Sequence, residues 1–372
     1  MEEPLKFHVL HTESSDGWGG QEIRILLESQ ELIRRGHNVT IVCPPHSGLA
    51  RRASKADIPT VLIKFRHIFD AFGIWKIIRL IKERDIHIVH THSSIDSWVA
   101  SIASKISGVP ILVRTRHLSV PIATHLFNFV YKMPDAIITT GESIRRRMIE
   151  VNKLEGQKII SIPTGVQLDR FNPGVTAPYL REELRIGNDT PVITMVAVLR
   201  SWKRHEIFLE AAKWVLGEFP QAKFLIVGNG PGWERIQGKI AEFKLGKKVI
   251  MTGHREDIPQ ILSITDVAIL TSERYEGVPQ AVLQYLAMER PVIATDVGSI
   301  SEVIKDGETG ILVPPNNAKD VAQGILKLLN DRELGQRLGK NGRKLVEERF
   351  NNQAMMEATL NLYYHLYKAK IT

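Results

Sequence analysis

The stretch EGVPQAVLQ, residues 276–284, sets an acid, a glycine and a proline ahead of an apolar helical pattern. Proline suits the first turn of a helix, so the sequence predicts a helix from about 279 to 289, whose free amides would bind an anion. A carboxylate at Glu276 accepts hydrogen bonds from sugar hydroxyls, and an amide at Gln284 suits a neutral group such as a ribose. The candidate ligand-binding residues of this stretch are Glu276, Gly277, Val278, Pro279, Gln280 and Gln284.

A ligand with a phosphate at the start of the helix and hydroxyl groups on either side of that phosphate is a nucleotide sugar. The alternative is that Glu276 is a loop acid that caps the helix and that Gln284 is merely exposed. The spacing alone leaves both interpretations open.

A second candidate site is the loop DGWGG, residues 16–20, which follows the apolar run FHVLH and precedes a helical pattern. The paired glycines Gly19 and Gly20 allow the backbone to approach a ligand closely. The loop does not have the G-x-G-x-x-G spacing of a dinucleotide site, so it gives little support to a nicotinamide cofactor.

Histidines end two of the apolar runs: His92 ends HIVHTH, and His117 follows ILVRTR. His90 alternates within its run and is predicted to be a core residue. The pair His90-x-His92 raises the possibility of zinc, but no Cys, Asp or Glu is clustered with it in the sequence. We therefore expect no metal site and no cofactor.

The elements that must position these residues are short β-rich runs separated by helical patterns. Apolar runs without alternation indicate parallel sheets that are covered on both faces. The sequence predicts two doubly wound α/β domains with a cleft between them, and such sheets bind ligands beyond the carboxyl ends of their strands. The runs of the first series are 7–11, 38–44, 59–64, 87–92, 111–116, 136–141 and 159–165, and those of the second are 192–198, 222–228, 248–253, 267–272, 291–295 and 310–314.

Composition describes a globular protein of 372 residues without an apolar run long enough for a membrane span. Cys43 is the one cysteine, and the N-terminal residues MEEPLKFHVLH do not have the pattern of a secretory signal, so we expect a cytoplasmic protein. The net charge is +8, and residues 1–165 hold 22 Lys and Arg against 16 Asp and Glu. Such an excess suits nucleic acid, an anionic membrane or a phosphorylated substrate.

Residues 273–325, beginning ERYEGVPQAVLQYLAMERPVIATDVGS, resemble the donor-binding block of the family-4 glycosyltransferases. The resemblance continues at GGQEIRILLESQELIRRGHNVTIV, IPTGVQLDRFNP and VAVLRSWKRHEIFLEAA, and it covers nearly the whole chain. It implies a retaining, metal-independent enzyme of the two-domain GT-B fold. It also implies an acceptor-side domain over residues 1–170, a donor-binding domain over 171–349, and a last helix, about 350–372, that packs back on the first domain.

The family pattern has two acids eight residues apart. Glu276 matches the first, which lies near the donor sugar, and Gln284 replaces the second, which binds the ribose. The resemblance places His117 against the donor sugar. It places Gly19 and Gly20 beside the donor phosphates and the nucleobase near Gly253, His254 and Arg255.

The resemblance also implies cations for the donor diphosphate. Lys203 falls on the family's lysine position, whereas Val198 stands at its arginine position, and Arg200 on the same loop is the candidate replacement. The sequence contains no Asp-x-Asp, the usual metal–diphosphate motif of the other large glycosyltransferase fold. Glu276, Lys203, Arg200 and His117 are therefore the candidate catalytic residues.

These observations predict a glycosyltransferase that moves a sugar from a nucleoside-diphosphate sugar to a saccharide or lipid-linked acceptor in cell-surface glycan or lipopolysaccharide synthesis. The alternatives are a sugar-nucleotide epimerase of the same fold and a basic nucleic-acid-binding protein. No zinc finger, RNP-like motif or recognition-helix pattern supports specific nucleic-acid binding.

The segment FRHIFDAFGIWKIIRLIKERD, residues 65–85, mixes aromatic and aliphatic residues with flanking cations. An amphipathic helix packed on the sheet explains most of its apolar residues. The positive charge, with Arg145, Arg146 and Arg147 on another helix, also suits peripheral binding to an anionic membrane at its inner face.

Overall fold

A computed structural model of the chain describes residues 5–122 and 126–371. The chain divides into two compact units, one formed by Met1–Pro163 with Gln353–Thr372 and the other by Thr164–Asn352. Residues 1–4, on which the expectation of no secretory signal partly rests, lie outside the described residues. Among those described, none of the helices has the length and apolar character needed to cross a bilayer.

In the described part of the first unit, seven strands form one parallel sheet in the order β3-β2-β1-β4-β5-β6-β7. The strands are β1 His8–Thr12, β2 Asn38–Cys43, β3 Thr60–Leu62, β4 Ile88–Thr91, β5 Ile111–Arg116, β6 Ala136–Thr139 and β7 Ile159–Ser161. The helices are α1 Gly20–Arg34, α2 Gly48–Lys55, α3 Ala71–Glu83, α4 Ser94–Ser107 and α5 Glu142–Glu150.

The second unit repeats the plan with a six-stranded sheet, counted over the described residues, in the order β10-β9-β8-β11-β12-β13. Its strands are β8 Val192–Val196, β9 Lys223–Val227, β10 Val249–Gly253, β11 Val267–Leu270, β12 Val292–Thr295 and β13 Ile311–Val313. Its helices are α6 Tyr179–Glu183, α7 His205–Glu218, α8 Trp233–Glu242, α9 Ile258–Ser263, α10 Gln280–Ala287, α11 Ala318–Asn330 and α12 Arg332–Arg349, and the last helix, α13 Asn352–Ile371, returns to the first unit.

Both faces of the first sheet are covered, as its unbroken apolar runs predict. Val9 and Ile41 belong to one buried cluster, whereas their neighbours Leu10 and Val42 belong to another, because successive strand residues point to opposite faces. Tyr363 of α13 is fully buried in the first of these clusters. The prediction of two doubly wound α/β units is confirmed.

Within the segment 65–85, the helix is confined to α3. The Asp70 side chain accepts a hydrogen bond from the Gly73 amide and so fixes the start of the helix. Residues 65–70 form no regular element.

Candidate functional site

Two loops of the second unit bring the principal candidates together at the carboxyl ends of neighbouring strands. β8 and β11 are paired, and each is followed by a loop that leads into a helix. Lys203 ends a short 3₁₀ turn, Ser201–Lys203, in the loop after β8, and Glu276 lies in the loop after β11. This is the edge at which parallel sheets bind their ligands.

Lys203 and Glu276 form an ion pair. The Lys203 Nζ lies 2.5 Å from the Glu276 Oε1, and the Ser272 hydroxyl donates a hydrogen bond to the same oxygen at 2.6 Å. The side chain of Lys203 is 18% exposed and that of Glu276 is 5% exposed. Within the described part of the chain the Lys203 ammonium donates only to Glu276, so two of its three N–H donors are left for a ligand, and the Oε2 of Glu276 is left as an acceptor.

Hydrogen bonds to backbone carbonyls hold the two loops together. The Thr271 hydroxyl lies 3.0 Å from the carbonyl oxygens of both Lys203 and Arg204, which share its one proton, and the Glu273 amide donates to the carbonyl of Trp202 at 2.8 Å. The position of Lys203 is therefore set by the loop that carries Glu276.

Gly298 supports Glu276 from the loop after β12. Its φ is +61°, and a Cβ built there would lie 2.1 Å from the Glu276 carbonyl oxygen. Sequence reasoning did not select Gly298, Ser272 or Thr271. A hydroxyl directly after a strand was a signal for the last two, but nothing local distinguishes Gly298 from other turn glycines.

Arg200 lies on the surface of the same loop, and its guanidinium is centred 5.1 Å from the ring of Trp202. Stacking on an aromatic ring leaves the N–H groups of an arginine at the edge of its plane able to bind an anion.

The helix after Glu276 is shorter than predicted. It runs from Gln280 to Ala287, and Pro279 has extended backbone and stands just before it. Gly277, Val278 and Pro279 are buried. Gln284 is 7% exposed, which excludes the interpretation that its side chain is merely a surface group.

After β10, the candidate groups for binding a ligand belong to the backbone, because the nearby cation, Arg255, is paired within the protein. Gly253 has a φ of +72°, and His254 is exposed. Arg255 is bonded to both oxygens of Asp257 and to Glu183, and these hydrogen bonds raise its pKa. Its charge is thus compensated within the protein.

In the first unit, Gly19 immediately precedes α1, and Gly20 begins it. The buried carboxylate of Glu13 accepts hydrogen bonds from the amides of Ser14 and Ser15 at 2.7 and 2.8 Å and from the Gln21 side chain at 2.5 Å. Burial, with Asp96 and Glu22 nearby, raises the pKa of Glu13 to about 8. Glu13 was not selected from the sequence, although it directly follows β1.

Four histidines of the first unit, His11, His90, His92 and His117, lie next to one another. His90 is fully buried, and His117 is half-buried just after β5. The sequence expectation that no carboxylate is clustered with His90 and His92 is wrong, because His11 and Glu28 supply ligand-type atoms that lie, with theirs, within 4.8 Å of one another. These residues are distant in sequence but converge because β1 pairs with β4 and α1 packs across them.

Comparisons with known proteins bear on both units. The family model "Glycosyltransferase Family 4" matches residues 18–170, and the model "Glycosyl transferases group 1" matches residues 178–345. The chain is 28% identical over 320 residues to the UDP-Gal:alpha-D-GlcNAc-diphosphoundecaprenol alpha-1,3-galactosyltransferase of Escherichia coli, covering 82% of each chain. It is 25% identical to the N-acetyl-alpha-D-glucosaminyl L-malate synthase of Bacillus anthracis, covering 90% of this chain and 91% of that one.

Solved structures show the same fold. A glycosyltransferase from Rickettsia africae superposes with a TM-score of 0.85 at 25% identity, covering 98% of this chain and 99% of that chain. Anabaena HepE in complex with UDP-glucose superposes with a TM-score of 0.86 at 18% identity, covering 96% and 99%.

Proposed function

We propose that this chain, which belongs to glycosyltransferase family 4, transfers a sugar with retention of configuration from a UDP-sugar to a lipid-linked saccharide, without a metal ion. The observation that carries the proposal is the ion pair of Lys203 and Glu276 at the carboxyl ends of β8 and β11. UDP and the lipid-linked acceptor are proposed from the name of the Escherichia coli relative. In this proposal, residues 171–349 bind the donor and residues 1–170 face the acceptor.

The pair suits a reaction in which a diphosphate leaves. When the bond between the anomeric carbon and the phosphate oxygen breaks, negative charge accumulates on the diphosphate. Lys203 is already oriented by Glu276, so it stabilises that charge without reorganisation, and such stabilisation is usually the main source of an enzyme's rate enhancement. Arg200 supplies the second cation, and these two cations, together with the lack of Asp-x-Asp in the sequence, support metal independence.

Each of the other candidate residues is assigned to one part of the donor. The Glu276 Oε2 accepts a hydrogen bond from the sugar, Gln284 meets the ribose, and His117 contacts the transferred sugar. In this proposal the backbone at 253–255 contacts the nucleobase. The side chain of Arg255 does not, because its charge is already compensated within the protein. The other proposed donor-binding residues are Gly19, Gly20, Gly277, Val278, Pro279 and Gln280.

A donor and acceptor screen tests the proposal. We expect a UDP-sugar to be consumed only when a polyprenyl-diphosphate saccharide is present, with EDTA leaving the rate unaltered and NMR of the product showing the anomeric configuration of the donor. Preference for a GDP-sugar would contradict the proposed nucleotide, and an inverted product would contradict retention. An epimerised donor formed without acceptor would establish the epimerase alternative.

We also propose that the first unit binds the surface of an anionic membrane, where a lipid-linked acceptor resides. Ile77, Leu80 and Ile81 fill the core beneath α3, whereas Phe72 and Trp75 are 59% and 52% exposed. Their rings stack with centroids 5.9 Å apart. Phe69, 53% exposed, lies just before the helix, and the Lys76 ammonium and the Arg79 guanidinium lie over the rings of Phe72 and Trp75. Exposed aromatic rings flanked by cations suit the interface of an anionic bilayer.

Changing Phe72 and Trp75 together to Ala should abolish salt-sensitive co-sedimentation with phosphatidylserine-containing vesicles. The matched control is Trp214→Ala, because Trp214 is 61% exposed on α7 of the other unit. Changing Arg146 and Arg147 to Ser should weaken binding, since each cation near such a surface contributes about 1 kcal/mol. Arg145 is left in place because it bonds the Ile159 carbonyl and Glu142. If wild-type protein stays in the supernatant at low salt, the membrane proposal is wrong.

A further inference from the structure

Three histidines of the first unit are joined nitrogen to nitrogen. The His11 Nδ1 lies 2.9 Å from the His92 Nε2, and the His92 Nδ1 lies 3.2 Å from the His117 Nε2. We call these three residues the histidine row. Its inner end is the His11 Nε2, which is buried and without a hydrogen-bond partner among the described residues. Its outer end is the half-buried ring of His117.

The row determines which nitrogen of His117 is turned toward the core, since the His117 Nε2 contacts the His92 Nδ1. A neutral imidazole has one N–H donor and one acceptor, so each contact fixes the proton of the next ring. Burial lowers the pKa of His11 to about 3 and lowers the pKa values of His92 and His117 well below the usual value, which keeps the rings neutral. With its Nε2 turned inward, His117 offers its Nδ1, which bonds no other described residue.

We infer that His92 and His11 are positioning residues, which hold the His117 ring so that its Nδ1 bonds a hydroxyl of the transferred sugar. The inference rests on the proposed function, because it takes the ligand to be a donor sugar. It adds two residues that lie behind His117 in the core and do not touch the substrate themselves.

A metal ion held by His11, Glu28, His90 and His92 is the competing explanation. The ring nitrogens of His90 are already engaged, with the Tyr363 hydroxyl at 2.7 Å and the Thr115 hydroxyl at 2.6 Å. Both nitrogens of His92 belong to the histidine row. Glu28 is paired at 2.8 Å with Arg24, which is fully buried, so a divalent cation would lie close to a buried positive charge. The hydrogen-bonded row accounts for the geometry without a metal.

Two amide substitutions at His92 each remove one of its two contacts in the histidine row. An Asn side chain places its amide near the position of the histidine Nδ1 and keeps the contact to His117, whereas Gln reaches the position of Nε2 and keeps the contact to His11. We expect His92→Gln to lower kcat/KM for the donor about tenfold, mainly through KM, on the order of the loss of one oriented hydrogen bond. His92→Asn keeps the contact to His117 but loses the contact to His11, so it should recover part of that loss. His365→Gln, at an exposed histidine of α13, is the control for histidine loss.

The state of the His117 ring gives a readout that does not depend on turnover. In ¹⁵N-histidine-labelled wild-type protein, the His117 ring should be neutral, in one tautomer, from pH 8 to pH 5.5. In His92→Gln it should show tautomer exchange or protonate nearer the usual histidine pKa. Equal melting temperatures for the two His92 variants would exclude a general loss of stability as the cause of their difference.

Several results would overturn the inference. Equal donor kinetics for His92→Gln and His92→Asn would do so, as would a His117 ring that titrates normally in wild-type protein. One equivalent of zinc in the purified protein, lost in His11→Asn, would assign these nitrogens to a metal. If wild-type protein transfers no sugar from any UDP-sugar, the proposed function fails, while the ring measurement still tests the row by itself.

Discussion

Replacing Lys203 by alanine should lower kcat on the order of a hundredfold while donor binding weakens less. The substitution removes a cation whose position is set by Glu276 and by the loop contacts of Thr271. Loss of one preorganised group that stabilises developing charge commonly costs about 3 kcal/mol in the transition state. Steady-state kinetics with the best UDP-sugar from the screen would measure the change in kcat and KM separately.

The same substitution has a second consequence that must be separated from catalysis. Glu276 is 5% exposed, so removal of Lys203 leaves a buried carboxylate without its cation, which is destabilising. The double variant Lys203→Ala/Glu276→Gln removes that charge as well, and it should regain melting temperature but not turnover. Lys340→Ala, at an exposed lysine on α12, controls for the loss of a positive charge. Wild-type kcat in folded Lys203→Ala would remove Lys203 from the reaction.

The fold could be predicted from the sequence because its signals are local. Each of the predicted apolar runs overlaps a strand, since a strand buried on both faces needs an unbroken series of apolar residues. The ends of those runs also located Glu276 and His117, because a loop after a parallel strand must lie at the carboxyl edge of the sheet. Lys203 was predicted instead from its match to the lysine position of the family.

The contacts of these residues could not be predicted from the sequence, because they depend on the order of the strands in the sheet. The order β3-β2-β1-β4 places His11 directly opposite His90, although the two are far apart along the chain. No local pattern states that β1 and β4 are neighbours. The carboxylate of Glu28 joins the histidines from α1 for the same reason, and so the expectation of no clustered carboxylate was wrong.

The segment 65–85 shows a different limit. Its apolar residues outnumber the positions that one helix face can bury, and the sequence does not say which of them stay outside. In the structure, Ile77, Leu80 and Ile81 fill the core, and the bulky rings of Phe72 and Trp75 are left at the surface. An exposed pair of aromatic rings is informative only once the core is known to be complete without them.

Replacing Glu276 by glutamine should also lower kcat/KM on the order of a hundredfold, with little change in melting temperature. The amide oxygen can take the place of Oε1 and accept from both the Lys203 ammonium and the Ser272 hydroxyl, so the loop keeps its hydrogen bonds. The NH₂ group then occupies the position of Oε2. A sugar hydroxyl that donated to a carboxylate would meet a donor, and a charge-assisted bond roughly twice as strong as a neutral one would be lost.

Glu273→Gln is the matched control for Glu276→Gln, because it removes a carboxylate from the same loop. Glu273 pairs with Arg204 at 3.6 Å and Arg274 at 3.2 Å, so its loss changes the surface charge without touching Lys203. We expect Glu273→Gln to retain at least a third of the wild-type kcat/KM. Glu276→Gln could instead lower the melting temperature without changing the rate of the folded molecules, whose number active-site titration with UDP would give. That result would mean that Glu276 serves only to hold the loop. A folded variant that binds UDP normally but transfers sugar slowly would place Glu276 at the sugar, because the nucleotide alone does not depend on this carboxylate.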